Sequence, residues 1–246
     1  MASNISVFMR FSDGTFGSLR STVTESSTAF GQYTEITTEG GDLNQTPSIS
    51  AGQAFNGMTV THAFAVCATD GATTAALCSA YFEDTNGSIM VPIQGGGQGN
   101  SGFPPLKKPV RLATGVVVKA ALQDGADAVQ VATLAVYCAS GKSDVFAARA
   151  VDDTPTAMVN PQGKTIGQAL DGQTISCAYA TYAATNGLDD NDGGVNGLYI
   201  ESAQGTLKAI YPASRAGNGR GNSGVEYMSY PVKIVQNDTL TVTASL

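Results

Sequence analysis

The chain has 246 residues and a net charge of −7, and only 13% of its residues are charged, against roughly 25% in an average soluble protein. Hydrophobic residues make up 42%, which supplies a core and excludes general disorder. The basic residues are scattered, "PLKKPVR" (105–111) being the densest group, and this excludes direct nucleic-acid binding. No apolar run approaches the ~20 residues of a membrane helix, and "MASNISVFMRF" carries no basic n-region, so the expected product is cytoplasmic, without a signal peptide or a transmembrane segment.

In chain order the first strand signal is "ISVFMRF" (5–11). In "MTVTHAFAVCA" (58–68) alternation predicts one apolar face of Met58, Val60, His62, Phe64 and Val66, with Thr59, Thr61 and Ala63 opposite. "SIMVPIQ" (88–94), "PVRLATG" (109–115), "GVVVKAAL" (115–122) and "VATLAVYCA" (131–139) are further β-rich runs. "DVFAARAV" (144–151) is the best of the few helical windows. The chain closes on "TLTVTASL" (239–246), with Leu240 and Val242 against Thr239, Thr241 and Thr243. Turn residues such as "SDGT", "TNG" and "NDT" punctuate these runs.

The order of the runs repeats. "GQAFNGMTV" (52–60) lies over "GQALDGQTI" (167–175) at a spacing of 115 (167 − 52). "YFEDTNGSI" (81–89) lies over "YIESAQGTL" (199–207) at 118 (199 − 81). "GNSG" (99–102) and "PVRL" (109–112) lie over "GNSG" (221–224) and "PVKI" (231–234) at 122 (221 − 99). The sequence therefore predicts an all-β protein of two tandem, internally duplicated antiparallel β-sandwich domains, 1–123 and 124–246. Each is jelly-roll-like or Ig-like, the jelly roll being favoured by eight strands in ~120 residues. The glycine loops then read as connectors at equivalent corners, and Gly99, Asn100, Ser101, Gly102, Gly221, Asn222, Ser223 and Gly224 become candidate subunit contacts.

Candidate chemistry is sparse. His62 is the only histidine, and its repeat partner is Cys177, so the position reads as a mid-sized packing site. No cysteine pair recurs between the copies, which favours reduced, buried thiols at Cys67, Cys78, Cys138 and Cys177. "SGKS" (140–143) lacks the upstream glycine of a phosphate loop. "LDDNDGGVNG" (188–197) has Asp189 and Asn191 at calcium-loop spacing, but Ile200 stands where the closing glutamate belongs. It reads first as a polar hairpin extension; as a cation site it would use Asp189, Asn191 and Asp192. Arg111 and Lys233 are equivalent basic positions expected to face water. These observations predict no catalytic residue, no cofactor and no enzyme.

The paired closing segments "PVRLATGVVVKAAL" and "PVKIVQNDTLTVTASL", each preceded by "GNSG", together with the Ala/Thr/Gly-rich, low-charge texture, resemble virion proteins of bacterial viruses. The resemblance implies a capsid subunit of the double jelly-roll kind or a capsid-decorating protein, and leaves that choice open. It implies localisation in the virion, with partners that are other capsid proteins and further copies of the chain, a trimer being favoured. The alternative is a carbohydrate-binding or adhesin module, for which Tyr211, Tyr227 and Tyr230 are the candidate stacking residues.

Overall fold

The computed structural model describes residues 2–24, 33–38, 48–68, 76–96, 105–123, 130–150, 154–183, 195–211, 222–226 and 231–244. Before position 124 lie β1 (Ala2–Phe11), β2 (Phe16–Thr24), β3 (Thr34–Ile36), α1 (Ala51–Ala54), β4 (Thr59–Ala68), β5 (Ala76–Glu83), β6 (Ile89–Gly96), β7 (Pro105–Arg111) and β8 (Val117–Gln123). One sheet runs β2-β1-β4-β7 and the other β3-β8-β5-β6. A three-residue parallel contact between β4 and β6 links them.

After it lie β9 (Gln130–Cys138), β10 (Ser143–Ala150), β11 (Thr156–Ala157), α2 (Ile166–Leu170), β12 (Thr174–Ala183), β13 (Val195–Glu201), β14 (Leu207–Tyr211), β15 (Asn222–Glu226), β16 (Val232–Lys233) and β17 (Thr239–Ala244). Here β10-β9-β12-β15, with β16 also on β12, faces β11-β17-β13-β14. The fold is all-β, and every ladder among the described residues stays on its own side of the segment between β8 and β9. Strand for strand the two orders are the same. Among the described residues, no helix is long and apolar enough to cross a membrane.

Inward-facing side chains from both sheets close each sandwich. In the first, Ile5, Val7, Met9 and Phe11 of β1 meet Ala80 and Phe82 of β5 and Val118 and Ala120 of β8. In the second, Leu134 and Val136 of β9 and Phe146 of β10 meet Leu198, Ile200, Leu240 and Val242. Removing this apolar surface from water is the main force holding each pair of sheets together.

Small backbone devices recur at matching positions. Each helix begins with a capping box: Ser50 and Gln53 hydrogen-bond reciprocally, as do Thr165 and Gln168. The glycine after each cap sits under a carbonyl. Gly52 N donates to Val116 O and Gly167 N to Asp238 O. A Cβ at Gly52 would lie 2.0 Å from Ala113 O, and one at Gly167 would lie 2.4 Å from Gln236 O. Close backbone approach, rather than positive φ, demands glycine at both places.

The alternation predicted for β4 breaks at a bulge. Phe11 pairs with Val60 and Arg10 with His62, leaving Thr61 over, and its hydroxyl donates to Arg10 O at 3.2 Å. One extra residue turns the following side chains to the opposite faces. Val60 is buried, but Ala63 and Ala65 take the core positions thereafter, and His62 and Phe64 stand half-buried on the outer face. The single apolar face expected for Val60, His62 and Phe64 is corrected accordingly. In β12, Ile175 pairs with Cys138 and Cys177 with Tyr137; Ser176 bulges, and its hydroxyl donates to Tyr137 O at 3.1 Å.

A second correction concerns 144–151. Its described residues, 144–150, are strand, not helix: β10 pairs with β9 from Ser143–Tyr137 through Ala150–Gln130. Phe146 and Ala148 face the core, while Ser143, Val145 and Ala147 are buried as well. A strand covered on both faces loses the polar alternation that would have marked it.

Candidate functional site: the junction between the sandwiches

The outer face of β9, β10 and β12 is seated on β5 and β6 of the first sandwich. Ala135 and Val145 point away from their own core yet are 3% and 1% exposed, because they meet Tyr81 there. Tyr33, Ile89 and Tyr137 border this small apolar cluster, and the Tyr33 and Tyr81 rings lie 5.0 Å apart. Two hydrogen bonds fix the register: Tyr137 OH donates to Pro92 O at 3.2 Å, and Ser143 Oγ donates to Met90 O at 2.9 Å.

The electrostatics follow from burial. Burial raises the Tyr81 phenol, and Tyr33, Glu83 and Asp144 reinforce the shift. Glu83 pairs with Lys119 at 2.7 Å. Burial also pushes the Asp144 carboxyl up, opposed by the Asn160 amide, which donates at 3.1 Å, and by Val145 N at 2.8 Å. The Cys177 thiol is raised by burial and partly offset by Lys107 of the first sandwich. The contact is carried mainly by apolar and hydroxyl side chains, with the Glu83–Lys119 pair at its edge, and burial holds the Tyr81 phenol and the Cys177 thiol in their protonated forms.

The corresponding face of the first sandwich is open. Register places Phe8 where β9 has Ala135, Arg10 where it has Tyr137, and Phe16 and Ser18 where β10 has Ser143 and Val145. Phe8 is 37% exposed and Phe16 68%, and Arg10, Ser18 and Arg20 are exposed with them. Phe8 and Phe64 stack with centroids 5.0 Å apart. The receiving surface also recurs. Tyr199, Leu207 and Ile210 stand where the first sandwich has Tyr81, Ile89 and Pro92. Tyr199 is half-buried, Leu207 is 49% exposed and Ile210 61%.

Of the residues singled out from sequence, Asn222, Ser223 and Gly224 lie in β15, paired with Tyr182, Thr181 and Ala180. They form a strand rather than the connector expected, the backbone being held by the ladder on β12. Gly99, Asn100, Ser101, Gly102 and Gly221 lie outside the described residues, as do Asp189, Asn191, Asp192, Tyr227 and Tyr230. Among the described residues no group of three His, Cys, Asp or Glu side chains could hold a metal. His62 Nδ1 is 2.9 Å from Thr61 Oγ1 on the outer face. Cys138 and Cys177 are unbridged and buried, and burial lifts the Cys138 thiol to about 11. "SGKS" forms the turn from β9 into β10, with no helix after it. Arg111 and Lys233 face water.

The sequence reading missed Phe8, Phe16, Leu207 and Ile210. One signal was available: in "SVFMRF" Phe8 interrupts the polar side of an otherwise alternating strand. No family model, no curated protein and no solved structure matches the chain.

Proposed function

We propose that the chain is a non-enzymatic structural subunit of a virus particle, of the bacteriophage type, forming or decorating the shell. In this reading it is a tandem copy of one module, each copy a jelly roll whose last strand has moved to the front. The strand orders support a jelly roll over an Ig fold, in which the second and fifth strands would pair; here β5 pairs with β6 and β8. The observation that carries the reading is the junction: the module already packs sheet face on sheet face around the apolar cluster of Tyr81, Ala135 and Val145, and the equivalent faces recur exposed. A chain in which only 13% of residues are charged has few charges to desolvate when it packs against a neighbour. Three chains in a ring would present six similar sandwiches.

The exposed Phe8 and Phe16, with half-buried Phe64 stacked on Phe8, favour one second reading, carbohydrate binding by ring stacking. Against it, their counterparts Ala135 and Ser143 are covered by protein. Electron microscopy and mass spectrometry of purified particles from the virus encoding the chain test the proposal. Many regular copies per particle are expected; absence from the particle contradicts it. Glycan-array binding abolished by Phe16→Ala would support the second reading.

A further inference from the structure

Each chain carries one β1-β2-β4 face and one β13-β14 face whose counterparts are mated inside the same chain. We propose that these two exposed faces mate between copies, head to tail, repeating between chains the junction found within one. The inference rests on the assembling reading above and adds which faces touch and in what order.

The template is the junction itself. Where Ala135 and Val145 press on Tyr81 and Ile89, a second copy would bring Phe8 and Ser18 to Tyr199 and Leu207. Where Ser143 meets Met90, Phe16 would meet the β14 strand beside Leu207 and Ile210. Large exposed apolar side chains grouped on one face mark contact surfaces, and aromatic residues are the usual anchors of interfaces. Tyr137 donates to Pro92 O inside the chain; Arg10 stands in its place on the open face, a charged donor that the proposed contact would bring to the carbonyl of Ile210. Charge agrees: Arg10 and Arg20 are exposed on one face, and Glu201 lies half-buried beside the other. Because the faces differ, the contact is heterologous and each added chain offers a fresh face until a ring closes.

Two full-length variants test this by sedimentation velocity. Ser18→Lys blocks the first face and Ile210→Lys the second. Both residues are exposed, and matching thermal melts with the wild type verify that each variant folds. Wild type is expected to assemble, and each variant alone to need about thirtyfold more protein to do so. An equimolar mixture is expected to stop at a one-to-one heterodimer, since it holds one intact face of each kind. A wild type that stays monomeric, variants that assemble like wild type, or a mixture with no heterodimer would each overturn the inference. Both variants entering virus particles as well as wild type would overturn it while leaving the virion reading intact. A heterodimer from a protein absent from particles would do the reverse.

Discussion

Where the first sandwich has Met90 and Val116, the second has Lys208 and Asp238. The register of β6 and β14 and the caps over Gly52 and Gly167 make these positions equivalent. Met90 packs against the first core and Val116 is buried in it. In the second, Lys208 Nζ donates to Asp238 Oδ2, whose carboxylate is fully buried and also accepts from Val235 N at 2.9 Å. Two unlike solutions fill one backbone frame. The frame is carried by caps, bulges and close-approach glycines, while the side chains between them are free to change as long as they change together.

That comparison breaks most sharply at the ion pair. Lys208→Met leaves a buried carboxylate without its cation, and a loss of about 3–5 kcal/mol is expected. Asp238→Val costs less, because Lys208 keeps some solvent access. The double variant, which copies the first sandwich, is expected to recover most of the loss, since well-packed apolar replacements of buried pairs are often neutral. Urea unfolding of the four proteins gives the coupling energy; additive losses would mean that the two sites are not equivalent.

Tyrosines at equivalent positions come next. Tyr81→Ala empties the junction cluster and is expected to cost about 3 kcal/mol, whereas Tyr199→Ala in the dissociated chain should cost about 1 kcal/mol or less. Equal losses in denaturant titrations would mean that the junction does not distinguish the two faces. Gly52→Ala and Gly167→Ala should each cost about 2–3 kcal/mol, because the new Cβ meets a carbonyl in both halves. One half tolerating the change would separate the two frames.

The smallest effect is a pH dependence confined to the second half. Asp144 has a raised pKa in the folded protein, so the native state holds its proton to higher pH than the unfolded chain does. Its contribution to stability is fully present below the ordinary value of 3.8 and is lost as pH rises through the folded value. The advantage of wild type over Asp144→Asn should therefore shrink as pH climbs from about 4. Unfolding free energies in a series of buffers would show it. An advantage that grows over that range would mean the carboxylate is favoured by its surroundings.

Much of the frame was legible in the sequence. The matched turns and glycines stood out in the sequence because backbone geometry restricts which residues fit, and the strand orders on either side of position 124 agree with them. The capping boxes Ser50-Gln53 and Thr165-Gln168, which begin two residues ahead of the aligned blocks, were equally legible. The bulges at Thr61 and Ser176 were not legible, since a bulge deletes no apolar residue and only exchanges faces. Nor was the junction. Burial of Ala135 and Val145 by another sandwich, rather than by their own, imposes no period along the strand. It made β10 resemble a helix and hid Phe8 and Phe16 as ordinary strand residues.

An experimental structure of the assembled protein tests the central claim most directly. The rotation and translation carrying the first sandwich onto the second within a chain should also, to within a small adjustment, carry that second sandwich onto the first of the neighbouring chain, with Phe8 and Phe16 against Leu207 and Ile210. Assemblies in which those side chains remain in solvent, or in which the Phe8 face meets its own copy across a twofold axis, would contradict the account.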